Sequence, residues 1–488
     1  MSAPAARPNL VLISADQWRG DVLGVAGDPV IHTPGIDAMA ATGHYFPRAV
    51  TELPSCVGAR RTLFSGQWPV THGMTGFDDL EPWPEPDTLC RVFQRNGYRT
   101  YGIGKRHVYP QDARHGFDLL RTHEEGRFLS PGYRDDYLSM LAEAGWGDFG
   151  LFGAGVTNNS YHGRASVLPP ELHVTTWTAT EAIRVMEDHV RTHGRDHPFF
   201  LYVSFSKPHP PWDPPAHFFD HYYGDPDLPM PVIGDAAGYV SSPSPFVAGT
   251  RGPLPEAEGY QLKARDMRRA RAAYYGLIDQ IDAQITRLAY HLWRSLMVRN
   301  TIFAFVADHG EMLGDHHWWA KSVGYEGSIR VPFVLSFPKE MPLPVGRSYP
   351  DTTVGLADLM PTVLEACGLP IPERCDGASL MPLISGEADG LDRDYLHGEH
   401  LEYGHFLLDH TGKFIWHYRM GVKEYYDLQE DPAECRNRYG DDPRSRALEE
   451  RLKALLVEQG REDDFMRGGD LDDATAQAHT HEPPAYAR

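Results

Sequence analysis

Four short segments of this chain carry residue types that together could hold a divalent cation and an anionic ligand. Asp16-Gln17, Lys105-Arg106-His107, Lys207-Pro208-His209 and Asp308-His309 each follow an apolar run of strand length. In a parallel α/β sheet, ligands bind beyond the carboxyl ends of the strands, so the four segments are expected on one rim. Carboxylates, an amide and an imidazole suit a hard divalent cation, and lysines beside it neutralise an anion. Each segment alone also has a plainer reading. An Asp that closes a strand commonly caps a turn, and Asp308-His309-Gly310 fits an ordinary turn. The run Asp315-His316-His317-Trp318-Trp319 reads as packed structural histidines. Gly97 to Lys105 is not a phosphate-binding loop, because no Ser or Thr follows the lysine, and Glu399-His400 lacks the earlier histidine of a zinc-protease helix.

The elements that must position these groups alternate. Strand-like runs at Asn9 to Ser14, Thr100 to Ile103, Phe199 to Ser204, Thr301 to Ala307 and Val331 to Ser336 are interleaved with helical patterns. Helices are expected at Thr88 to Asn96, Thr178 to Thr192 and Ala264 to Leu296. The last carries apolar residues at helical spacing through Tyr274, Ile278, Ile281, Ile285 and Leu288. The alternation predicts an α/β fold with a mostly parallel central sheet flanked by helices. Residues 1–387 are expected to form the catalytic domain, with insertions at 121–169 and 207–260. The second insertion holds twelve prolines between Pro208 and Pro255, too many for regular structure. Residues 388–460 read as a smaller α+β subdomain with strands at Lys413 to Tyr418 and Glu424 to Leu428 and a helix at Ser445 to Glu458. Residues 461–488 read as an extended arm that orders on a partner subunit, which implies a homo-oligomer.

Composition narrows the partners. The 488 residues carry 46 Lys+Arg against 67 Asp+Glu, a formal net charge of -21. That sign argues against nucleic acid, anionic membranes and long polyanions. The apolar runs are too short to span a bilayer, and Asn9-Leu-Val-Leu-Ile-Ser begins without a signal-like leader. Five cysteines without a CxxC spacing argue against a disulfide framework or a zinc ribbon. The reading is a cytoplasmic protein.

One further segment is Leu53-Pro-Ser-Cys56-Val-Gly-Ala-Arg60-Arg61-Thr-Leu-Phe-Ser-Gly66. A cysteine with an arginine four residues on, entering a helix, resembles the signature of the formylglycine-dependent sulfatases of the alkaline phosphatase superfamily. Asn9 to Gln17 resembles the family's first metal strand, and Gly104-Lys105-Arg106-His107 resembles its GKxH motif. Lys207-Pro208-His209-Pro210-Pro211 is similar to its PHxP loop, and Asp308-His309-Gly310-Glu311 to its second metal pair, with Lys321 beyond. The resemblance runs over residues 8 to 340 and, weakly, Tyr425 to Pro432.

The resemblance implies a sulfuric ester hydrolase that converts sulfate monoesters, as small molecules, to alcohol or phenol plus sulfate. It implies one divalent cation (Ca²⁺, Mn²⁺ or Mg²⁺) held by Asp16, Gln17, Asp308, His309 and the Cys56 position, and Cys56 oxidised to formylglycine by a formylglycine-generating enzyme. The hydrated aldehyde offers one hydroxyl as nucleophile and a second that later expels sulfate. Arg60 would orient it, Lys105 and Lys321 would hold sulfate oxygens, a charged His209 would protonate the leaving alcohol, and His107 would take the proton from the second hydroxyl. Two positions depart from the family pattern. Gly58 stands where Pro or Ala is usual, and Gln17 stands where a second aspartate is usual, which makes the site one charge less negative. Asp-Gln with Asp-His also resembles phosphonate monoester hydrolases and choline-sulfatase-like members. A phosphonate monoester hydrolase or phosphodiesterase is therefore the alternative, but those enzymes resemble a pattern with Tyr and Thr where this chain has Lys105 and His107.

Overall fold

The computed structural model describes residues 7–83, 87–158, 160–235, 264–401, 403–418 and 421–466. Strands β1 (Asn9–Asp16), β2 (His44–Tyr45), β3 (Ala49–Val50), β4 (Arg99–Gly104), β5 (Leu119–Thr122), β6 (Phe199–Pro208), β7 (Thr301–Ala307), β8 (Phe333–Ser336) and β9 (Arg347–Ser348) follow one another along the chain. All except β3 join one sheet in the order β5-β4-β6-β1-β7-β8-β2-β9. From β5 to β7 every pairing is parallel. The run expected at Val331 to Ser336 forms β8, which pairs antiparallel with both β7 and β2.

Every residue of β1, β6 and β7 is buried. Helices cover such parallel strands on both faces, which explains why they read as continuous apolar runs rather than alternating ones. The helix Ala264–Arg294 spans roughly 45 Å at about 1.5 Å per residue. Its stripe of Tyr274, Ile278, Ile281, Ile285 and Leu288 has no exposed surface, and it packs on β6 and on the helix Val174–His193. It stops short of the expected Leu296, where the backbone turns left-handed at φ 63°. The helix Cys56–Ser65 packs instead against the helices Leu89–Arg95 and Leu359–Ala366. All of its residues are buried, Arg60 and Arg61 included, so it has no polar face to betray it as an amphipathic helix.

Further along, β10 (Val354–Gly355) pairs with β3. Strands β11 (Leu396–His400), β12 (Gly404–Leu408), β13 (Gly412–His417) and β14 (Val422–Asp427) form an antiparallel sheet, two strands more than the sequence pattern predicts. The helix Pro443–Glu458 packs on it through Leu448, Leu452, Leu455 and Leu456. Buried Lys413 of β13 pairs with Glu326, in the short helix Glu326–Ile329 before β8, at 2.8 Å and with Glu434, beyond β14, at 2.6 Å.

The proline-rich segment is less irregular than expected, because it contains the helix Ala216–Tyr223, packed on the long helix. Residues 236–260 of it lie outside the described residues, as do 467–488 of the expected arm. The start of that arm is pinned by Arg461, which donates to both carboxylate oxygens of Glu399. All five cysteines are free thiols. Among the described residues no helix is long and apolar enough to cross a membrane.

Candidate active site

The carboxyl ends of β1, β4, β6 and β7 converge, and the side chains that follow them meet at the first turn of the Cys56 helix. Asp16 ends β1, and the backbone turns sharply after it, with Gln17 at φ 70°. Asp308 follows β7, its N–H donating to the Ala15 carbonyl at 3.3 Å. Asp16, Cys56, Asp308 and His309 are all buried, and their potential ligand atoms lie within 4.8 Å of one another. The His309 Nδ1–H donates to the Gly310 carbonyl at 2.9 Å, which turns Nε2 towards the Cys56 Sγ at 3.0 Å.

Two carboxylates buried this closely repel one another unless cations separate them. Arg60 lies one helical turn beyond Cys56 and supplies one such cation. Its Nε donates to Asp308 at 3.0 Å and one terminal nitrogen to Asp16 at 3.1 Å. Its other terminal nitrogen donates to the Lys105 carbonyl, the Tyr202 hydroxyl and Ser204 Oγ, all at 2.9–3.0 Å. Lys105 supplies the second cation, with Nζ 2.6 Å from Asp16 and 2.7 Å from Glu125. Burial alone would raise the Asp16 carboxyl, but the cations beside it, Lys105 first and then Arg60, hold it well below the usual range. Burial and Asp16 push the Cys56 thiol up, and Lys321, His309 and Lys105 outweigh them to leave it below its ordinary value.

Gln17 is clamped from both sides. Its amide nitrogen donates to Glu311, and its oxygen accepts from Lys321 Nζ at 2.6 Å. Glu311 also accepts from the backbone of Leu313 at 2.9 Å and Ala320 at 2.7 Å, and burial pushes its carboxyl up to about 7. The loop that carries Lys321 is thereby anchored to the first strand's turn.

The two histidines outside the ligand cluster differ in their surroundings. The His209 backbone donates to the Asp16 carbonyl at 3.0 Å, and its Nδ1 lies 2.8 Å from the Pro210 carbonyl and 3.3 Å from Glu125. Nδ1 therefore carries the proton in the neutral ring, and Nε2 is left to receive one. Burial lowers its pKa well below the ordinary value even though Glu125 opposes this. His209 is thus neutral at rest, whereas the expected general-acid role calls for a charged imidazole; an anion bound beside it would supply the missing stabilisation. His107 has a left-handed backbone at φ 53° and packs edge-on against Phe77. Neither of its ring nitrogens has a hydrogen-bond partner among the described residues, and burial holds it neutral.

Every residue singled out from the sequence is therefore in or beside one cluster, but two neighbours of the motifs are not. Lys207 turns to Asp213 at 2.7 Å, and Arg106 donates to the carbonyls of Gln111 and Ala113. His316 stacks on Tyr325 and lies outside the ligand cluster. Sequence reasoning missed Glu125, Arg127, Tyr202 and Ser204 and left Glu311 without a role. The only signal for the first two was a charged run, Glu124-Glu125-Gly126-Arg127, in an insertion without periodicity.

A family model for sulfatases matches residues 8–369, and a second, for the N-sulphoglucosamine sulphohydrolase C-terminal region, matches residues 314–462. The chain belongs to the sulfatase family. It is 36% identical over 479 residues to an arylsulfatase of Clostridium perfringens, covering 95% of this chain and 97% of that one. Among solved structures, a phosphonate monoester hydrolase of Agrobacterium radiobacter superposes with a TM-score of 0.76 at 24% identity, over 93% of this chain and 96% of the other. A structure in complex with its substrate D-glucosamine-2-N,6-O-disulfate superposes with a TM-score of 0.73 at 19% identity, over 94% and 99%. At these identities the two structures establish the alkaline phosphatase-like fold.

Within this sulfatase, Gly58 has a steric explanation. A Cβ built there would lie 1.8 Å from Leu53 Cδ2 and 2.9 Å from Leu53 Cγ, and Leu53 is itself fully buried. Leu53 occupies the space that a larger motif residue would need. Gly58→Ala is therefore expected to destabilise the fold by about 1–3 kcal/mol, as overpacking does. In a Leu53→Ala background, where the space is free, the same Gly58→Ala change should cost much less. Urea unfolding of Gly58→Ala, Leu53→Ala and the double variant checks this, and an unchanged midpoint in Gly58→Ala would contradict it.

Proposed function

We propose that this sulfatase hydrolyses sulfate monoesters to alcohol or phenol plus sulfate, with Cys56 acting as nucleophile after oxidation to formylglycine. The observation that carries the reading is the placement of Cys56 Sγ at the centre of the Asp16, Asp308 and His309 cluster, bordered by Lys105 and Lys321. The residues present fit a divalent cation: two buried carboxylates, an imidazole nitrogen and the Cys56 position lie within 4.8 Å of one another, with Gln17 adjoining Asp16 in the chain. With an oxygen at position 56, the donor set suits Ca²⁺, Mn²⁺ or Mg²⁺. When bound, the cation supplies Lewis acidity and the formylglycine a hydrated aldehyde as nucleophile.

The chain's own residues do the rest. Arg60 positions the site through Asp16 and Asp308, since all its nitrogens are engaged with those carboxylates, with the Lys105 carbonyl and with β6. Lys105 and Lys321 present ammonium groups to the sulfate oxygens, where preorganised charge in a water-poor site counts most. His209 Nε2 holds the proton for the departing oxygen. His107, with both ring nitrogens unsatisfied in a buried site, accepts a proton when sulfate is expelled. A formylglycine-generating enzyme is the partner required for maturation. The other four cysteines, all free thiols, support a reducing, cytoplasmic setting.

Phosphonate monoester or phosphodiester hydrolysis is the second reading, favoured by Gln17 and His309 in the cluster. Lys105 and His107 weigh against it. The test compares kcat/KM for an aryl sulfate, an aryl phenylphosphonate and a bis-aryl phosphate with the same leaving group. The sulfate is expected to lead by about tenfold or more, equivalent to ~1.4 kcal/mol. A lead of that size for either phosphorus ester would reverse the assignment.

A further inference from the structure

The insertion at 121–169 brings into the reaction pocket a carboxylate that no motif of the family accounts for. Glu125 is 4% exposed and has a left-handed backbone at φ 54°. A side chain rarely adopts that conformation without a reason in its surroundings. One oxygen, Oε2, lies 2.7 Å from Lys105 Nζ and also pairs with Arg127; the other, Oε1, lies 3.3 Å from His209 Nδ1. Glu125 thus touches both the cation assigned to the transferring group and the imidazole assigned to the leaving group.

Holding the loop does not explain this carboxylate. The Glu124 side chain accepts from the backbone N–H of Arg106 at 2.9 Å and of His107 at 3.1 Å. Asp135 accepts from the Glu124 backbone at 2.9 Å, and the Glu125 carbonyl, not its side chain, accepts from Asn158 at 2.9 Å. The turn has these anchors without the Glu125 carboxylate, which pairs with Arg127 beside it and reaches Lys105 and His209 in the pocket.

We propose that Glu125 sets the ligand charge this pocket accepts, selecting singly charged esters such as sulfate monoesters over doubly charged phosphate monoesters. The inference rests on the placement of the transferring group at Lys105 given under Proposed function. A fixed negative charge shifts the potential at that group by a set amount, and the energy of a bound ester changes in proportion to its own charge. A sulfate monoester carries one charge, while a phosphate monoester above its second pKa of about 6 carries two. The ester's total charge is the same in the ground and transition states, so the penalty enters kcat/KM directly. In a buried site one extra charge beside a carboxylate costs about tenfold or more.

The test measures kcat/KM for para-nitrophenyl sulfate and para-nitrophenyl phosphate at a pH of about 8, in metal-loaded wild type, Glu125→Gln and Glu125→Asp. The phosphate-to-sulfate ratio is expected to rise about tenfold or more in Glu125→Gln and to stay within about threefold of wild type in Glu125→Asp, which keeps the charge. Loss of both activities in equal proportion would mark Glu125 as structural and overturn the proposal, as would an equal shift in both variants. Should Glu125→Gln fail to fold, Arg127→Gln gives the opposite readout. It leaves the carboxylate less neutralised, so the ratio should fall, and a rise or no change overturns the proposal. If wild type prefers a phenylphosphonate monoester, the sulfate reading fails by itself. That ester is also singly charged, and the phosphate-to-phosphonate ratio in the same variants still decides the role of Glu125.

Discussion

Replacing Cys56 with alanine is expected to lower kcat for an aryl sulfate by at least about a thousandfold while the protein stays folded, as removal of a covalent nucleophile does. The side chain is buried, but its contacts are chemical rather than packing contacts: Sγ faces His309 Nε2 at 3.0 Å and Asp16 at 3.7 Å. The helix it begins is held by Arg60 and by the packing of Val57, Leu63 and Phe64, none of which the substitution touches. Thermal unfolding should therefore shift by only a few degrees, about what loss of a small buried side chain produces. Cys56→Ser separates conversion from nucleophilicity, because a plain hydroxyl lacks the second hydroxyl that releases sulfate. The mass of the Cys56 peptide reports conversion directly. Activity of more than about a hundredth of wild type in Cys56→Ala would remove this residue from the mechanism.

Prolonged chelation is expected to abolish turnover, and re-addition of Ca²⁺, Mn²⁺ or Mg²⁺ to restore it. The reversibility follows from the charge arrangement. Asp16 and Asp308 are already paired with Arg60 and Lys105, so removal of the cation leaves no buried carboxylate uncompensated. The apo-protein should stay folded and regain activity without refolding. Identity of the restoring ion also reports the state of residue 56. A thiolate beside His309 favours a softer ion such as Zn²⁺, whereas an oxygen there favours the hard cations. Elemental analysis of the active protein is expected to give one divalent ion per chain, and full activity at zero content would defeat the metal assignment.

Much of the site is legible in the sequence for a simple reason. Parallel strands buried on both faces are continuous apolar runs, and the polar residue that ends each run is forced to the ligand-binding edge. Asp16, Lys105, His209 and Asp308 could be placed together without coordinates on that ground, and the cysteine-to-arginine spacing added the nucleophile. β8 was legible as a strand, but its direction was not, because a short apolar run carries no mark of parallel or antiparallel pairing. β11 and β12 escaped because buried histidines and a glutamate interrupt them, in Leu-His-Gly-Glu-His and Gly-His-Phe-Leu-Leu.

By itself the sequence determined the family, the α/β architecture and the set of groups at the ends of four strands, because these follow from local pattern and from spacing along the chain. Only the tertiary structure decided how those groups share their charges. Arg60 spends its guanidinium on the two carboxylates, Gln17 is locked between Glu311 and Lys321, His209 is neutral at rest, and Leu53 fills the space above Gly58. It also decided that Glu125 and Arg127 enter the pocket. Burial and long-range contact set the ionisation and orientation of a side chain, and neither is encoded in the residues next to it.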